Sequence, residues 1–143
     1  MTSSTTLPLL ATPASTASLS KGRLWTGRVL SGFAVLALGL DAVMKLVQPE
    51  PVVKGTLELG YPVTVIPTLG VVLLVSTLLY AIPRTAVLGA IFLTGYLGGA
   101  VATHVRVDNP LFSHTLFPIY VGIIIWGGLF LRNRQVAAVL LGR

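Results

Sequence analysis

Residues 84–106 read RTAVLGAIFLTGYLGGAVATHVR, and this stretch decides the fold. An arginine opens it, a histidine and an arginine stand near its end, and no charged residue lies between Thr85 and Thr103. At about 1.5 Å per residue, the uncharged part makes roughly 28 Å of α-helix, close to the hydrocarbon thickness of a bilayer. The sequence therefore predicts a membrane-spanning helix at residues 85–104.

The composition of the whole chain agrees with a membrane location. Of 143 residues, 54% are hydrophobic and only 10% are charged, against about 25% charged in an average soluble domain. The net charge of +6 does not indicate a nucleic-acid partner, because the basic residues flank apolar runs, as at cytoplasmic loops and lipid headgroups. The chain has no cysteine, which excludes disulfides, thiolate metal sites and a cysteine nucleophile.

Three further apolar runs predict membrane-spanning helices at about residues 24–47, 62–81 and 114–131. Pro67 is expected to kink the second helix, which membrane helices tolerate. The predicted fold is all-α, an integral membrane four-helix bundle that covers residues 23–134.

Three segments outside the spans have separate predictions. Residues 1–22 are rich in serine and threonine and carry no charge before Lys21, which indicates an uncleaved, disordered tail and neither a signal peptide nor a transit peptide. Residues 52–61 form a connector with the pattern of a short helix at the membrane interface. Residues 135–143 form a short C-terminal tail that is expected to stay helical.

The distribution of charge predicts the orientation. Seven of the ten lysines and arginines lie in the N-terminal flank, in the turn between the second and third helices and at the C-terminus. The opposite loops hold the other three, together with all four acids. By the positive-inside rule both termini are cytoplasmic, and we expect a multi-pass protein of a bacterial inner membrane.

Asp41 and Lys45 lie four residues apart near the end of the first helix, and so share one face. Ionisable residues within a span are costly and are either paired or functional. One interpretation is a self-contained ion pair with Lys45 extended toward the interface. The other is that Asp41 faces the bundle interior and contacts His104 or Arg106 as part of a polar site.

His104 and Arg106 end the third helix and His114 begins the fourth, so the topology predicts a polar cluster with Asp41 and Lys45 at the outer end of the bundle. Such a cluster is suited to proton transfer to a quinone, or to an anionic headgroup or substrate. The alternative is that these are ordinary interface residues. A lone histidine pair is weak evidence for haem or metal, so we expect no metal site and leave a quinone as the open cofactor.

The third helix also carries closely spaced glycines, Gly95, Gly98 and Gly99. Small residues at this spacing allow helix backbones to approach closely. We expect close packing inside the bundle, with homodimerisation as the alternative. Tyr96 lies among these glycines and needs a hydrogen-bond partner if buried, so it is a second-rank candidate for the polar cluster.

The chain resembles the DoxX-like family of small membrane proteins. The resemblance lies in the segments DAVMKL (41–46), LGYP (59–62), IPRTAVLGA (82–90), LTGYLGGA (93–100), THVR (103–106) and HTLFPIY (114–120). It implies a four-helix membrane bundle. The family takes its name from a subunit associated with thiosulfate:quinone oxidoreduction, and some relatives are linked to membrane complexes that handle oxidative and thiol stress. No catalytic residue is carried over, and the lack of cysteine argues against thiol chemistry within this chain.

The sequence thus favours a small accessory subunit of a quinone-linked membrane redox system, without a self-contained catalytic motif. Two alternatives stay open. One is a non-catalytic structural or assembly partner of a membrane complex. The other is a protein that binds or moves a small molecule or lipid. The expected partners are the bilayer and either another membrane protein or a second copy of the chain.

Overall fold

The computed structural model describes residues 20–142. The predicted disordered tail lies outside the described residues, except for residues 20–22 at the start of the first helix. The described part contains helices and turns and no β-strand. Its α-helices are α1 (Lys21–Val47), α2 (Glu50–Glu58), α3 (Ile66–Ala81), α4 (Ala86–Arg106), α5 (Phe117–Arg132) and α6 (Arg134–Leu140).

Four helical segments are long and apolar enough to cross a membrane, namely Lys21–Val47, Val63–Ala81, Ala86–Arg106 and Leu111–Arg132. The prediction of an all-α membrane four-helix bundle is therefore confirmed, and the chain is a multi-pass membrane protein. The side on which the termini lie stays a prediction.

The four long helices form a ring in the order α1, α3, α4, α5. Helices α1 and α4 each pack against both α3 and α5. Side chains that point into the ring are buried, as Leu73, Leu93, Ile125 and Leu129 show. Many large apolar side chains on the outside remain exposed, which suits lipid as the surrounding solvent.

Two prolines mark where regular helix begins. Pro67 lies in the first turn of α3, directly after a 3₁₀ turn at Val63–Val65. Pro118 lies in the first turn of α5, after a π-helical turn at Leu111–Thr115. The predicted kink at Pro67 is therefore wrong. A proline in the first turn lacks only an N–H that would have no intrahelical partner, so it starts the helix without bending it.

The two short helices follow from local capping. α1 ends at Val47 and is capped by Gln48, whose φ of 55° is left-handed. α2 begins at Glu50 with an acid and a proline in its first turn, both favoured there. The predicted connector is thus helical as far as Glu58. Most of the predicted C-terminal tail forms α6, which the Asn133 side chain caps by accepting from the backbone N–H of Gln135 at 2.9 Å.

The closest helix contacts lie at the end of the bundle that contains the start of α1, the α3–α4 turn and the end of α5, here called the tight end. A Cβ added to Gly89 of α4 would lie 2.1 Å from the backbone nitrogen of Tyr80. A Cβ on Gly128 of α5 would lie 2.6 Å from the hydroxyl of Ser31 in α1. Both glycines are buried, so only glycine permits these approaches.

Gly95, Gly98 and Gly99 do not form a packing contact of this kind. A Cβ on any of them would meet no atom within 4 Å, and all three are exposed. The prediction that they form the closest packing inside the bundle is therefore wrong. Close packing occurs instead at the tight end, through Gly89 and Gly128.

Candidate functional site

The opposite end of the bundle encloses a cavity of about 430 Å³, here called the distal cavity. It lies among α1, α2, the start of α3, the second half of α4 and the start of α5. Its polar lining residues are Asp41, Lys45, Thr56, Tyr61, Tyr96, Thr103 and His104. Its apolar lining includes Leu38, Leu59, Leu69, Leu97, Phe117, Pro118 and Val121.

The charged pair of the cavity comes from α1. The Nζ atom of Lys45 lies 2.5 Å from Oδ1 of Asp41, and this is the only salt bridge among residues 20–142. Asp41 therefore both pairs with its helical neighbour and lines the cavity. Within the described part of the chain, it makes no ion pair with His104 or Arg106.

Two of the four tyrosines, Tyr96 and Tyr120, have hydroxyl groups without a hydrogen-bond partner among residues 20–142, and Tyr96 is the one that lines the distal cavity. The hydroxyl of Tyr61 bonds to Thr103 Oγ1 at 2.7 Å, and that of Tyr80 donates to the carbonyl oxygen of Ile125 at 2.8 Å. In the described segment no group is hydrogen bonded to the Tyr96 hydroxyl, although its side chain is partly buried and lines the distal cavity. It is therefore free to bond to a ligand there.

His104 is held in one orientation. The amide nitrogen of Asn109 lies 2.9 Å from Nδ1 of His104. An amide nitrogen only donates, so Nδ1 is the acceptor and the proton of the neutral ring is on Nε2. His104 thus lines the cavity as a ring whose free nitrogen is a hydrogen-bond donor.

Arg106 does not line the cavity. Its guanidinium group donates to the carbonyl oxygen of Leu59 at 2.6 Å and lies over the ring of Tyr61, 6.0 Å from the ring centre. It also lies against Gly60, whose φ is +80°. Arg106 therefore fastens the connector between α2 and α3 over this end of the bundle.

His114 lies beside the cavity and not in its wall. Its side chain is exposed, and Nδ1 lies 2.7 Å from the hydroxyl oxygen of Ser113. Its ring meets the ring of His104 edge to face, with centres 6.0 Å apart. Of the six predicted site residues, four line one cavity, and Arg106 and His114 flank it.

Among residues 20–142 no three side chains of His, Cys, Asp or Glu converge as metal ligands. The expectation that haem and metal are not bound stays a prediction.

Three polar residues that line the cavity were not predicted from the sequence, namely Thr56, Tyr61 and Thr103. Thr103 Oγ1 donates to the carbonyl oxygen of Gly99 at 2.9 Å and so accepts from Tyr61. Thr103 lies seven residues after Tyr96, which places both on nearly the same face of α4, so its position was readable from the sequence. Tyr61 reaches the cavity from the connector, and no periodic pattern predicts that.

The α4 glycines form cavity walls. Gly95 and Gly99 line the distal cavity. Gly98 lines a second, apolar space of about 350 Å³ between α4 and α5, which Trp126 borders. The missing side chains leave volume for a ligand where a leucine would fill it.

One comparison with known proteins matches. A model of the DoxX-like family matches residues 29–128, which is more than two thirds of the chain. The matched range begins in α1, ends in α5 and includes every residue that lines the distal cavity. No match to the chain was found among curated proteins or among solved structures.

Proposed function

The chain belongs to the DoxX-like family, and we propose that it binds a small membrane-soluble molecule of the quinone class in the distal cavity. It does so as an accessory subunit of a membrane redox system. The observation that carries this proposal is the cavity itself, which has apolar walls from four helices and polar side chains from α1, α2, α4 and the connector between α2 and α3. Its volume of about 430 Å³ is within the usual range of ligand pockets, roughly 300–1,000 Å³.

The hydrogen-bond donors of the cavity suit a quinone. A quinone ring has an apolar face and carbonyl oxygens that accept hydrogen bonds. Tyr96 offers a phenolic hydroxyl, and His104 offers Nε2–H because Asn109 occupies Nδ1. Leu38 and Phe117 provide apolar surface for the ring and its tail.

The charged pair supports a redox role. A quinone that becomes a quinol gains electrons and protons in equal number. The Asp41–Lys45 pair lines the cavity, and ionisable groups at this depth commonly serve proton pathways. The electrons would come from a redox protein in the same membrane, which is why we assign this chain an accessory role.

Blocking the cavity tests the proposal most directly. Gly99→Leu places a side chain into the distal cavity from a position with no atom within 4 Å of a Cβ. We expect it to abolish binding of a short-chain benzoquinone to the purified protein in nanodiscs, measured by titration calorimetry. Gly98→Leu is the matched control, because it adds the same side chain one residue away and fills the other space. Equal quinone affinity in wild type and Gly99→Leu would refute the proposal.

Removing single donors refines the test. Tyr96→Phe removes only the hydroxyl, so we expect the affinity for the quinone to fall about three- to tenfold, as for one hydrogen bond. His104→Ala should have an effect of the same order. If both variants bind the quinone as wild type does, the ligand does not bind through these donors.

We also propose that both termini are cytoplasmic in a bacterial inner membrane. The basic tight end and the acidic opposite end support this orientation. Because the chain has no cysteine, Gly22→Cys and Lys54→Cys each create a single label site at opposite ends. A membrane-impermeant maleimide added to spheroplasts should label Lys54→Cys only, and the reverse pattern would invert the topology.

A second candidate role is docking onto another membrane protein or a second copy through α4 and α5. The supporting observation is the apolar space beside Gly98, which is exposed on the outer surface of the helix pair. If Gly98→Leu keeps quinone affinity but fails to restore the phenotype of a deletion strain, docking at this surface is supported. Full rescue by Gly98→Leu would argue against it.

A further inference from the structure

The tight end has its own small cavity, which the proposed function does not use. It has a volume of about 170 Å³ and lies between α1, the α3–α4 turn and α5. Its polar lining comes from Arg28, Arg132 and Asn133, and Pro83 and Leu129 are part of its apolar wall. It is here called the basal cavity.

The charges around the basal cavity are all positive. The described part of this end carries Lys21, Arg23, Arg28, Arg84, Arg132 and Arg134. All four acids of the chain lie in or near the loops of the opposite end. The single salt bridge within residues 20–142 joins Lys45 to Asp41 at that opposite end, so the basic side chains here have no counterion among the described residues.

Arg132 is fixed in position at the cavity wall. Its guanidinium donates to the carbonyl oxygen of Tyr80 at 3.0 Å and stacks over the Tyr80 ring, 4.9 Å from the centre. Its Nε atom is buried, and within residues 20–142 it has no hydrogen-bond partner. These contacts with Tyr80 hold the guanidinium in place where Arg132 lines the basal cavity.

Arg28 supplies the second cation. Its side chain is exposed on α1 and makes no hydrogen bond or salt bridge to other described residues. A fixed guanidinium and a free one on the walls of one small cavity form an arrangement that favours phosphate, because arginine matches phosphate oxygens in geometry and charge.

We propose that the basal cavity binds the phosphate group of an anionic phospholipid. A lipid is favoured over free phosphate because the cavity lies at the ends of spanning helices, where headgroups lie, and because apolar residues form its remaining wall. Basic pockets between spanning helices bind anionic headgroups in this way. This inference does not depend on the quinone proposal.

Native mass spectrometry of the delipidated protein tests the inference. The probes are phosphatidylglycerol, zwitterionic phosphatidylcholine and inorganic phosphate, each added to the full chain in a neutral detergent. We expect a phosphatidylglycerol adduct that forms at concentrations where phosphatidylcholine does not. Equal binding of both lipids would overturn the proposal, and displacement of phosphatidylglycerol by equimolar inorganic phosphate would overturn the assignment to a lipid.

Matched arginine variants locate the site. Arg28→Gln should weaken phosphatidylglycerol binding about tenfold, as expected for loss of a charge-assisted hydrogen bond. Arg84→Gln removes the same charge from the same end but lies outside the basal cavity, and it should have little effect. Equal losses in the two variants would indicate only diffuse attraction and overturn the site. Because Arg28 makes no contact that folding needs, circular dichroism should show unchanged helicity.

Arg132→Lys is a second test of the same binding site. It keeps the positive charge and a donor for the carbonyl oxygen of Tyr80, but loses the planar guanidinium. We expect weaker phosphatidylglycerol binding with unchanged helicity. If Arg132→Lys binds this lipid as tightly as wild type does, the fixed guanidinium is not part of the site.

Discussion

Replacing Gly89 by alanine would force α3 and α4 apart at their closest contact. The new Cβ would lie 2.1 Å from the backbone nitrogen of Tyr80, 2.5 Å from its Cα and 2.7 Å from the carbonyl carbon of Leu79. Carbon contacts are comfortable at about 3.5 Å, so α4 would have to move by roughly 1.4 Å. The obstacle is backbone, and no side-chain rotation relieves it.

The expected magnitude follows from two opposing effects. Overpacking of this kind costs about 1–3 kcal/mol, and the shift would disturb the hydrogen bond from the Thr85 hydroxyl to the carbonyl oxygen of Leu79. Alanine in place of glycine stabilises a helix by about 1 kcal/mol through its higher helix propensity. We therefore expect Gly89→Ala to lower the free energy of unfolding by up to about 2 kcal/mol, which is the overpacking cost less the helix-propensity gain.

Gly95→Ala is the matched comparison on the same helix. Its Cβ would meet no atom within 4 Å, so only the helix-propensity gain of up to about 1 kcal/mol remains. Reversible unfolding in mixed micelles by dodecyl sulfate, followed by circular dichroism, measures both variants against wild type. The helix-propensity gain is common to both variants, so they should differ by the overpacking cost of about 1–3 kcal/mol, with Gly95→Ala the more stable.

The reverse order would refute the reasoning. If Gly95→Ala is less stable than Gly89→Ala, then the glycines of the second half of α4 pack against a helix after all. The original interpretation from their spacing would then be correct, and the cavity that they line would not exist in the folded protein.

Three further outcomes follow from single contacts. Tyr80→Phe removes a buried hydroxyl that is hydrogen bonded to both α1 and α5. It should lower the free energy of unfolding by about 1–3 kcal/mol in the same assay, and an unchanged value would mean that these hydrogen bonds are not formed. Arg106→Ala should speed amide hydrogen exchange around Leu59, because the guanidinium holds that carbonyl, and unchanged exchange would contradict the fastening role. His114→Ala should leave quinone affinity within about twofold while His104→Ala weakens it several-fold, and equal losses would place both rings in the site.

The fold was largely predictable because few backbone structures can satisfy their hydrogen bonds within a lipid bilayer. A chain with little charge must satisfy its backbone within helices, so apolar length alone predicts four spans. The third span, predicted at residues 85–104, is observed at Ala86–Arg106. The prediction at Pro67 failed because a proline within an apolar run is compatible with either a kink or a helix start. The 3₁₀ turn at Val63–Val65 decides between them.

The packing of glycines was not predictable from their spacing. Gly95 and Gly99 have the four-residue interval of a close helix contact, and Gly89 has no such partner in sequence. Spacing shows which residues share a face of the helix, but not whether another helix meets that face. That depends on how α4 is rotated and tilted, which the packing of all four helices determines together.

The site was predictable in its location and only partly in its members. Topology brought Asp41, Lys45 and His104 to one end, and they line the cavity there. Arg106 lies two residues after His104, which is about 200° around the helix. The side chains of His104 and Arg106 therefore cannot both face the same cavity, and this was already implicit in the sequence. The place of Tyr61 in the cavity wall could be found only from the structure, because a connector has no periodicity that determines the direction of its side chains.

The two ends of the bundle have complementary roles, and α4 connects them. Near its start, Gly89 allows backbone contact with α3, and in its middle the indole nitrogen of Trp126 in α5 donates to the Thr94 hydroxyl at 2.9 Å. After Thr94, Gly95 and Gly99 line the distal cavity without a side chain that would fill it. The packing that holds the helices together is thus separate from the surface that would bind a ligand. For that reason substitutions in the cavity wall can alter binding without unfolding the bundle, and the paired variants above can distinguish the two effects.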